Sequence, residues 1–226
     1  MVRVKICGVT NHDDLSAAER AGADAVGIIT EVPVDTPRAV PIDAAAELAD
    51  SAPPFLTTTL VTMPETVAAA VETTEPVQPD VLQVHGDFTP EEFRSLRGSV
   101  SAKVVAVVDA AAPDRARAVA PAVDAVLMDS IDDAGAGGTG ETHDWAATAD
   151  VAATVNAPVV LAGGLTPENV AEAVRTVRPF AVDVASGVER SGGRKDHGAV
   201  RAFVSNAVEA DSEGGSGSEA PEGVPS

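Results

Sequence analysis

Short apolar runs alternate with longer amphipathic stretches eight times along residues 1–208. The runs are rich in Val, Ile, Leu and Ala, as buried parallel strands are, and the stretches between them repeat apolar residues at helical spacing. We predict strands at residues 2–7, 24–29, 55–61, 80–85, 102–108, 124–128, 159–162 and 180–184. Eight strand-then-helix units predict an α/β fold, a single-domain (βα)8 TIM barrel whose parallel sheet closes on itself.

Capping residues mark where several helices begin. Thr89 and Glu92 form a capping-box pattern, with proline between them at the first helical position. The predicted helices span or begin at 11–21, 41–51, Pro64, Thr89, 113–119, about Asp144, Thr166-Pro167 and 195–208. An open doubly wound sheet is the alternative. It would carry Gly-x-Gly-x-x-Gly after its first strand, and only Gly8 is present.

The end of the chain differs in composition from the rest. Residues 209–226 contain no lysine or arginine, and their acidic residues lie among Gly, Ser and Pro: Glu209, Asp211, Glu213, Glu219 and Glu222. A segment of this kind buries too little apolar surface to offset the entropy of ordering it. We predict a catalytic barrel domain over residues 1–208 and a disordered acidic tail over 209–226.

Acidic residues dominate the charge of the chain. Asp and Glu number 35 against 15 Lys and Arg, which gives a net charge of -20. Nucleic acid is therefore an unfavourable partner, because its phosphates would be repelled. Self-repulsion also destabilises a folded protein unless dense salt screens it. We hypothesise that the protein comes from a salt-accumulating cell; an ordinary acidic protein is the alternative.

Three further features restrict the class of protein. No apolar run is long enough to span a bilayer, and the first residues lead straight into a strand instead of a signal peptide. The single cysteine excludes an internal disulfide. The 226 residues, 45% of them hydrophobic, suffice for one sizeable core. We expect a cytoplasmic protein with no membrane partner, as a monomer or a homodimer.

The first predicted strand ends with the only cysteine of the chain, just before a sharp turn. Val2, Val4 and Ile6 alternate with polar positions, so Lys5 and Cys7 share the opposite face. A cationic neighbour lowers the pKa of a thiol and raises its thiolate fraction. Cys7 is thus a candidate general base, although most free cysteines are simply small buried hydrophobes.

Polar residues also end other predicted strands. Catalytic side chains of such barrels lie at the carboxyl ends of the strands, where His85, Asp129 and Asp183 are found. Asp129, kept neutral by partial burial, could donate a proton where Cys7 accepts one; a cap or loop role is its alternative. His85 is interpreted as lining the pocket without transferring a proton. The four histidines lack metal-ligand spacing, so we expect no metal site.

Two glycine turns end neighbouring strands. Gly163-Gly164 follows the seventh predicted strand, and Ser186-Gly187 follows the eighth. Barrels often bind phosphate at this position through exposed backbone N–H groups and the N-terminus of a short helix. Glycine allows the backbone to approach the anion closely. The turns predict a phosphate site, with ordinary turn chemistry as the alternative.

Five segments together resemble the signatures of the phosphoribosylanthranilate isomerase family, in the order the family has them. They are Lys5–Thr10 (KICGVT), Leu82–Gly86 (LQVHG), Gly138–Gly140 with Asp144-Trp145, Leu161–Asn169 (LAGGLTPEN) and Asp183–Glu189 (DVASGVE). The resemblance covers almost all of residues 1–205 and leaves out the tail. The sequence departs from the family's pattern at Ala185, where serine is frequent, and at the end of the second strand, where aromatic residues are usual.

The resemblance implies a cofactor-independent (βα)8 enzyme of tryptophan biosynthesis. Its reaction is the Amadori rearrangement of N-(5-phosphoribosyl)anthranilate to 1-(2-carboxyphenylamino)-1-deoxyribulose 5-phosphate. By matching motif positions, Cys7 is expected to be the general base and Asp129 the general acid. Arg38 would pair with the anthranilate carboxylate, and Asp183 would hydrogen-bond the sugar hydroxyls. The two glycine turns would hold the phosphate.

Two other kinds of protein remain possible from the residues. Another phosphate-binding barrel enzyme, such as indole-glycerol-phosphate synthase or a sugar-phosphate epimerase, is the closest. The synthase is expected to use a lysine and glutamate pair, and no glutamate ends a strand next to that of Lys5. A non-catalytic phosphosugar-binding barrel would keep the glycine turns but would have little reason to hold Cys7 and Asp129 together.

Overall fold

The computed structural model describes residues 1–130 and 145–215. Its eight parallel strands close into one barrel in chain order. They are β1 (Arg3–Cys7), β2 (Ala25–Ile29), β3 (Thr57–Thr62), β4 (Val81–His85), β5 (Lys103–Asp109), β6 (Ala125–Asp129), β7 (Val159–Leu161) and β8 (Ala181–Val184). Pairing of β1 with β8 completes the circle, with Lys5 opposite Asp183. The predicted (βα)8 barrel is confirmed, and the open sheet is excluded.

Helices follow the strands around the outside of the barrel. They are α1 (His12–Ala21), α2 (Ile42–Asp50), α3 (Val67–Thr74), α4 (Pro90–Ser99), α5 (Pro113–Val119), α6 (Trp145–Thr154), α7 (Val170–Val177) and α8 (His197–Gly215). A 3₁₀ helix over Ala120–Ala122 precedes β6, and another over Ser186–Val188 follows β8. A hairpin of β9 (Glu189–Ser191) and β10 (Arg194–Lys195) comes next. Within the described ranges, no helix combines the length and apolar content that a membrane crossing needs.

Side-chain alternation along β1 sets the two faces of the barrel wall. Val4 and Ile6 are fully buried in the layer between the strands and helices, together with residues of α1 and α8. Lys5 and Cys7 point the other way, toward the barrel axis and Asp183. The predicted parity is confirmed, and it places the polar residues of β1 where the interior of the barrel opens.

Three helices, α3, α7 and α8, begin later than the sequence predicted. Helix α3 starts at Val67, because Thr66 caps it by accepting a hydrogen bond from the Ala69 N–H at 3.1 Å. Pro64 therefore lies before the helix and not in its first turn. Helix α7 starts at Val170 and not at Thr166-Pro167. Asn169 Oδ1 accepts from the Thr166 N–H at 2.8 Å, which closes a turn ahead of the helix. Elsewhere, the Thr89–Glu92 capping box is present as predicted.

The last helix continues past the predicted boundary at residue 208. Helix α8 ends at Gly215, and Ala210 on it is buried in the core. Asp211 Oδ2 accepts a hydrogen bond from the Val2 N–H at 3.0 Å and lies 3.3 Å from the terminal amino group. Residues 209–215 are thus helical, and this acidic segment has a partner at the start of the chain. Residues 216–226 lie outside the described residues.

Aspartates at the amino end of the barrel clamp neighbouring strands. Asp24, just before β2, accepts from the Val4 N–H of β1 at 2.8 Å. Asp80, before β4, accepts from β3 in the same way, and Asp124, before β6, accepts from the Val104 N–H of β5 at 2.9 Å. Each carboxylate satisfies a backbone donor at the start of a strand, where the ladder would leave it without a partner. These three contacts fix the register of alternate strand pairs at the end of the barrel away from the site.

Candidate active site

A cavity of about 420 Å³ opens at the carboxyl ends of the strands. Parallel strands bring their carboxyl ends to one face of a barrel, which gathers residues far apart in the chain. All the site residues predicted from the sequence line this one cavity: Cys7, Arg38, His85, Asp129, Gly163, Gly164, Asp183, Ser186 and Gly187. The fold therefore brings together every one of them.

Cys7, Lys5 and Asp183 form a buried cluster where β1 meets β2 and β8. Lys5 Nζ donates to both carboxylate oxygens of Asp183 at 3.0 Å. A Cβ atom on Gly27 would lie 2.7 Å from Cys7 Sγ and 3.0 Å from Lys5 Nζ. The absence of a side chain on β2 at this point is what gives the thiol and the ammonium room to lie side by side.

The surroundings of Cys7 determine the direction of its pKa shift, which the sequence left open. Burial raises the pKa of the thiol above its ordinary 9.0, and the Lys5 cation, which lowers it, does not outweigh burial. Asp183 adds to the rise, because its negative charge opposes a thiolate and it already pairs with Lys5. For Lys5, burial lowers the pKa, but the charges of Asp183 and Cys7 raise it overall. A protonated thiol beside a charged lysine is thus the resting state.

Asp129 ends β6 and is buried against the seventh strand. The residue before it in β6, Met128, is joined to the residue that follows β7. The Ala162 N–H donates to the Met128 carbonyl oxygen at 2.8 Å. A Cβ atom on Gly163 would lie 3.0 Å from Asp129 Oδ1 and 2.7 Å from the backbone nitrogen of Ser130. Glycine at 163, with φ of 85°, lets the turn after β7 approach this carboxylate closely. The carboxylate therefore has a fixed place in the cavity wall.

His85 and Gln83 lie on the same face of β4. The Gln83 side-chain nitrogen and His85 Nε2 are 3.3 Å apart. An amide nitrogen only donates, so Nε2 of His85 accepts in this contact and its proton is carried on the other ring nitrogen. The ring lines the cavity. This arrangement suits a polar contact with a bound molecule better than proton transfer.

The two glycine turns meet each other at the ends of β7 and β8. Gly163 and Gly164 both have positive φ, and Asn169 Nδ2 donates to the Gly164 carbonyl oxygen at 2.9 Å, which holds the turn. A Cβ atom on Gly187 would overlap the Leu165 carbonyl oxygen. The 3₁₀ helix over Ser186–Val188 begins at this contact between the two turns. Exposed N–H groups of two tight turns beside a short helix can hold an anion.

Arg38 lines the rim of the cavity in an ion-pair network that the sequence did not predict. Its Nε and Nη2 donate to the two carboxylate oxygens of Glu189, each at 2.9 Å. Lys195 Nζ donates to Glu189 Oε1 at 3.0 Å and to the Ala185 carbonyl oxygen at 2.9 Å. Burial raises the pKa of Glu189, but these two cations lower it overall.

Sequence reasoning missed Gly27 and Lys195 and gave Glu189 no role. Lys195 was assigned to the start of the last helix, but it ends β10, and its side chain is fully buried. Only three lysines occur in this acidic chain. That rarity was the available signal, since a lysine kept against such a bias is a candidate for a specific partner. Nothing in the pattern of β2 marked Gly27.

Some predicted features lie outside the described residues. They include Gly138–Gly140, Asp144 and His143. Among the described parts of the chain, no three His, Cys, Asp or Glu residues are arranged to hold a metal ion. The remaining histidines face carboxylates: His12 lies 3.4 Å from Glu47, and His197 lies 2.8 Å from Asp14.

Comparison with known proteins identifies similar chains. Residues 4–206 match the family described as N-(5'phosphoribosyl)anthranilate (PRA) isomerase. A relative from Haloferax volcanii named N-(5'-phosphoribosyl)anthranilate isomerase is 63% identical over 207 residues, which cover 92% of this chain and 93% of the relative. A relative of the same name from Halorubrum lacusprofundi is 58% identical over 207 residues, covering 92% and 97%. Both organisms are halophilic archaea, in agreement with the hypothesis of a salt-accumulating source.

A solved structure has the same fold with a molecule bound. It is a crystal structure of phosphoribosyl anthranilate isomerase in complex with reduced 1-(o-carboxyphenylamino)-1-deoxyribulose 5-phosphate. Its TM-score to this chain is 0.80 at 33% sequence identity, and the match covers 92% of this chain and 100% of the other.

Proposed function

The chain belongs to the N-(5'-phosphoribosyl)anthranilate isomerase family, and we propose that Cys7 and Asp129 carry out the acid–base steps of that isomerisation in the cavity described above. Membership makes the chain an isomerase of tryptophan biosynthesis. The observation that carries the proposed roles is that one cavity contains both a buried thiol and a buried carboxyl group, next to two glycine turns suited to phosphate.

The rearrangement needs an acid and then a base. Asp129 donates its proton to the furanose ring oxygen, the C1–O bond breaks, and the anthranilate nitrogen and C1 become a Schiff base. The Cys7 thiolate then takes the proton from C2 of the sugar, and the electron pair of that C–H bond forms an enolamine. Tautomerisation of the enolamine gives the ketone product. General acid and base groups each contribute about 10²- to 10⁴-fold in rate.

The other cavity residues bind the two anionic ends and the sugar. The turns at Gly163-Gly164 and Ser186-Gly187 hold the 5'-phosphate through backbone N–H groups. Arg38 pairs with the anthranilate carboxylate, because its planar guanidinium matches a carboxylate with two parallel hydrogen bonds. His85 lines the cavity, and Asp183 accepts from sugar hydroxyls. The partner is thus a small phosphosugar-anthranilate molecule, and we infer the cytoplasm as the compartment.

Lys5 and Asp183 connect sugar binding to the state of Cys7. While Lys5 donates to both carboxylate oxygens of Asp183, burial keeps the pKa of the thiol raised. A sugar hydroxyl that donates to Asp183 competes for the same carboxylate oxygens and leaves the Lys5 cation more available to the thiolate. Because the free site holds a neutral thiol, turnover at limiting substrate rises with pH until Cys7 is deprotonated.

Turnover tests this function directly. The substrate is generated in place, in high potassium chloride, and its disappearance is followed by the loss of its fluorescence. We expect wild type to consume it, and Cys7→Ala to bind the reduced product analogue within about threefold of wild type while losing at least 10²-fold in kcat. A folded wild type that binds the analogue without turnover would contradict the proposal and favour a phosphosugar-binding barrel.

A further inference from the structure

Lys195 is a fully buried lysine that the acid–base mechanism does not use. Its ammonium contacts the Glu189 carboxylate and the Ala185 carbonyl oxygen, and the side chain has no exposed surface. A buried cation costs several kcal/mol of desolvation, which only good partners offset. Burial accordingly lowers the pKa of Lys195 from 10.5, and the Glu189 carboxylate opposes that change. The fold maintains a costly charge at the edge of the substrate cavity.

The guanidinium of Arg38 has two edges that can each take a carboxylate. Glu189 occupies the edge formed by Nε and Nη2. An arginine has five N–H donors, so the edge formed by Nη1 and Nη2 still has donors for a second carboxylate. Arg38 lines the cavity, with its side chain 21% exposed. Arg38 can therefore hold Glu189 and a bound carboxylate at the same time.

The balance of charge decides whether the second carboxylate binds well. Arg38 and Glu189 alone form a neutral pair, and a second carboxylate on that pair would leave one excess negative charge in a half-buried place. Adding Lys195 makes the empty group positive by one charge and the occupied group neutral. The rest of the protein is strongly acidic, so no general field supplies this positive charge.

We infer that Lys195 determines affinity for the aryl carboxylate of the substrate, by offsetting the charge of Glu189 so that Arg38 can accept a second carboxylate. The inference rests on the proposed function, which brings that carboxylate to Arg38. In this account Glu189 positions the guanidinium, and Lys195 is a positioning residue that acts through Glu189 and Arg38.

The hairpin that carries Lys195 is fixed to the loop that carries Arg38. A Cβ atom on Gly193, where φ is 69°, would overlap the Pro37 carbonyl oxygen, and one on Gly192 would lie 2.6 Å from Pro37 Cγ. The Thr10 hydroxyl donates to the Gly193 carbonyl oxygen at 2.7 Å. The β9–β10 turn therefore packs tightly on the residue before Arg38. The three charged groups are held as one unit at the rim.

Charge rescue tests the inference. Lys195→Met, Glu189→Gln and the double variant are compared with wild type by titration calorimetry in high potassium chloride. One probe is the reduced 1-(o-carboxyphenylamino)-1-deoxyribulose 5-phosphate, and the other is ribulose 5-phosphate, which lacks the carboxylate. We expect Lys195→Met to weaken the first probe roughly 10- to 100-fold, as one unscreened charge near a buried site does, and the second by less than about threefold.

The double variant restores a net positive charge, so we expect it to recover the first probe to within about threefold of wild type. Glu189→Gln alone is expected to bind that probe at least as tightly as wild type. This variant therefore still tests the inference if Lys195→Met does not fold. Lys103→Met is the control, because it removes one positive charge at an exposed site. It should leave the affinity for both probes unchanged. Binding is measured because Lys195 also lowers the pKa of Cys7, which affects turnover.

Three outcomes would overturn the inference: no recovery in the double variant, equal loss of both probes in Lys195→Met, or much weaker binding in Glu189→Gln. Each of these leaves wild-type turnover intact. Failure of wild-type turnover with normal probe binding would instead remove the proposed function, so the two failures are separable.

Discussion

An aspartate lies at each end of strand β6, and the two have different contacts. Asp124, before the strand, accepts from the Val104 N–H and pairs with Arg97 through both carboxylate oxygens at 2.9 and 3.1 Å. Asp129, at the other end, lines the cavity. Four residues of chain lie between them, and the surroundings alone decide that one holds the sheet together and the other lines the cavity. The role of each carboxylate is thus set by the groups that surround it.

The same contrast holds for the two ends of the whole barrel. At the amino end, Asp24, Asp80 and Asp124 bind strand amides. At the carboxyl end, Asp183 and Glu189 bind side-chain cations next to the cavity, an arrangement that a ligand can enter and reorganise. Residues at the amino face of such barrels serve stability, and those at the carboxyl face serve function. Substitutions at the carboxyl face should therefore mainly lower turnover, and substitutions at the amino face should mainly lower stability.

Glycine substitution at the two faces should give the largest difference. Gly187→Ala adds a methyl group that overlaps the Leu165 carbonyl oxygen and forces the two glycine turns apart. We expect KM to rise about 100-fold or more, because charge-assisted hydrogen bonds to the phosphate are lost. Gly98→Ala, at the amino-face end of α4, meets nothing within 4 Å and should leave KM unchanged. Steady-state kinetics on both variants provide the measurement.

Equal KM values for the Gly187 and Gly98 variants would show that the turns after β7 and β8 do not bind phosphate. Gly98→Ala should also stabilise the fold slightly, by up to about 1 kcal/mol, since alanine favours a helix.

Alkylation of Cys7 should sharpen the contrast within the carboxyl face. The chain has one cysteine, so iodoacetamide reports on it alone. Asp183→Asn removes a charge that raises the pKa of Cys7 and releases Lys5, so the alkylation midpoint should move to lower pH with severalfold faster reaction at pH 8. Lys5→Met should move the midpoint to higher pH. Lys103→Met, at the amino face, should leave it in place.

Mass spectrometry after timed quenching follows this reaction, and circular dichroism confirms that each variant is folded. Shifts of Lys5→Met and Asp183→Asn in the same direction would contradict the coupling of Cys7 to that ion pair.

The smallest effect is expected at the amino end of β6. Burial raises the pKa of Asp124, but hydrogen bonds from the Val104 N–H and Arg97 lower it overall from 3.8. A lowered pKa contributes stability that is present above the unfolded value and lost as pH falls through the folded one. Asp124→Asn should therefore cost about 1 kcal/mol at neutral pH, and the difference from wild type should shrink as the pH falls below about 4 and vanish only below the lowered pKa of the folded state. Denaturant unfolding in potassium chloride at several pH values measures it.

The barrel and the positions of its site residues were predictable, because eight buried strands with polar residues at their ends leave one topology. Parity in β1 correctly placed Lys5 beside Cys7, and the order of strand ends brought His85 and Asp129 to the same face. These features follow from the period of two within each strand and from eight repeats of the strand-then-helix unit, both of which can be read along the sequence.

Features that depend on long-range contacts were not predictable. The direction of the pKa shift of Cys7 depends on burial and on Asp183 taking the charge of Lys5, and neither is a local pattern. The Lys195 ammonium meets Glu189 because β9 and β10 pair as a hairpin, but the two reach Arg38 only because that hairpin packs on the loop that carries it. Likewise, α8 extends to Gly215 because Asp211 finds the first residues of the chain.

The most direct test is to compare kcat/KM of wild type, Asp129→Asn and Asp124→Asn in one fluorescence series in high potassium chloride. Both variants change a carboxylate of β6 to its amide, and only one of them faces the cavity. We expect Asp129→Asn to lose about 10²- to 10⁴-fold while unfolding like wild type, and Asp124→Asn to stay within about twofold. Similar losses in both variants, or full turnover in Asp129→Asn, would contradict the assignment of Asp129 as the acid.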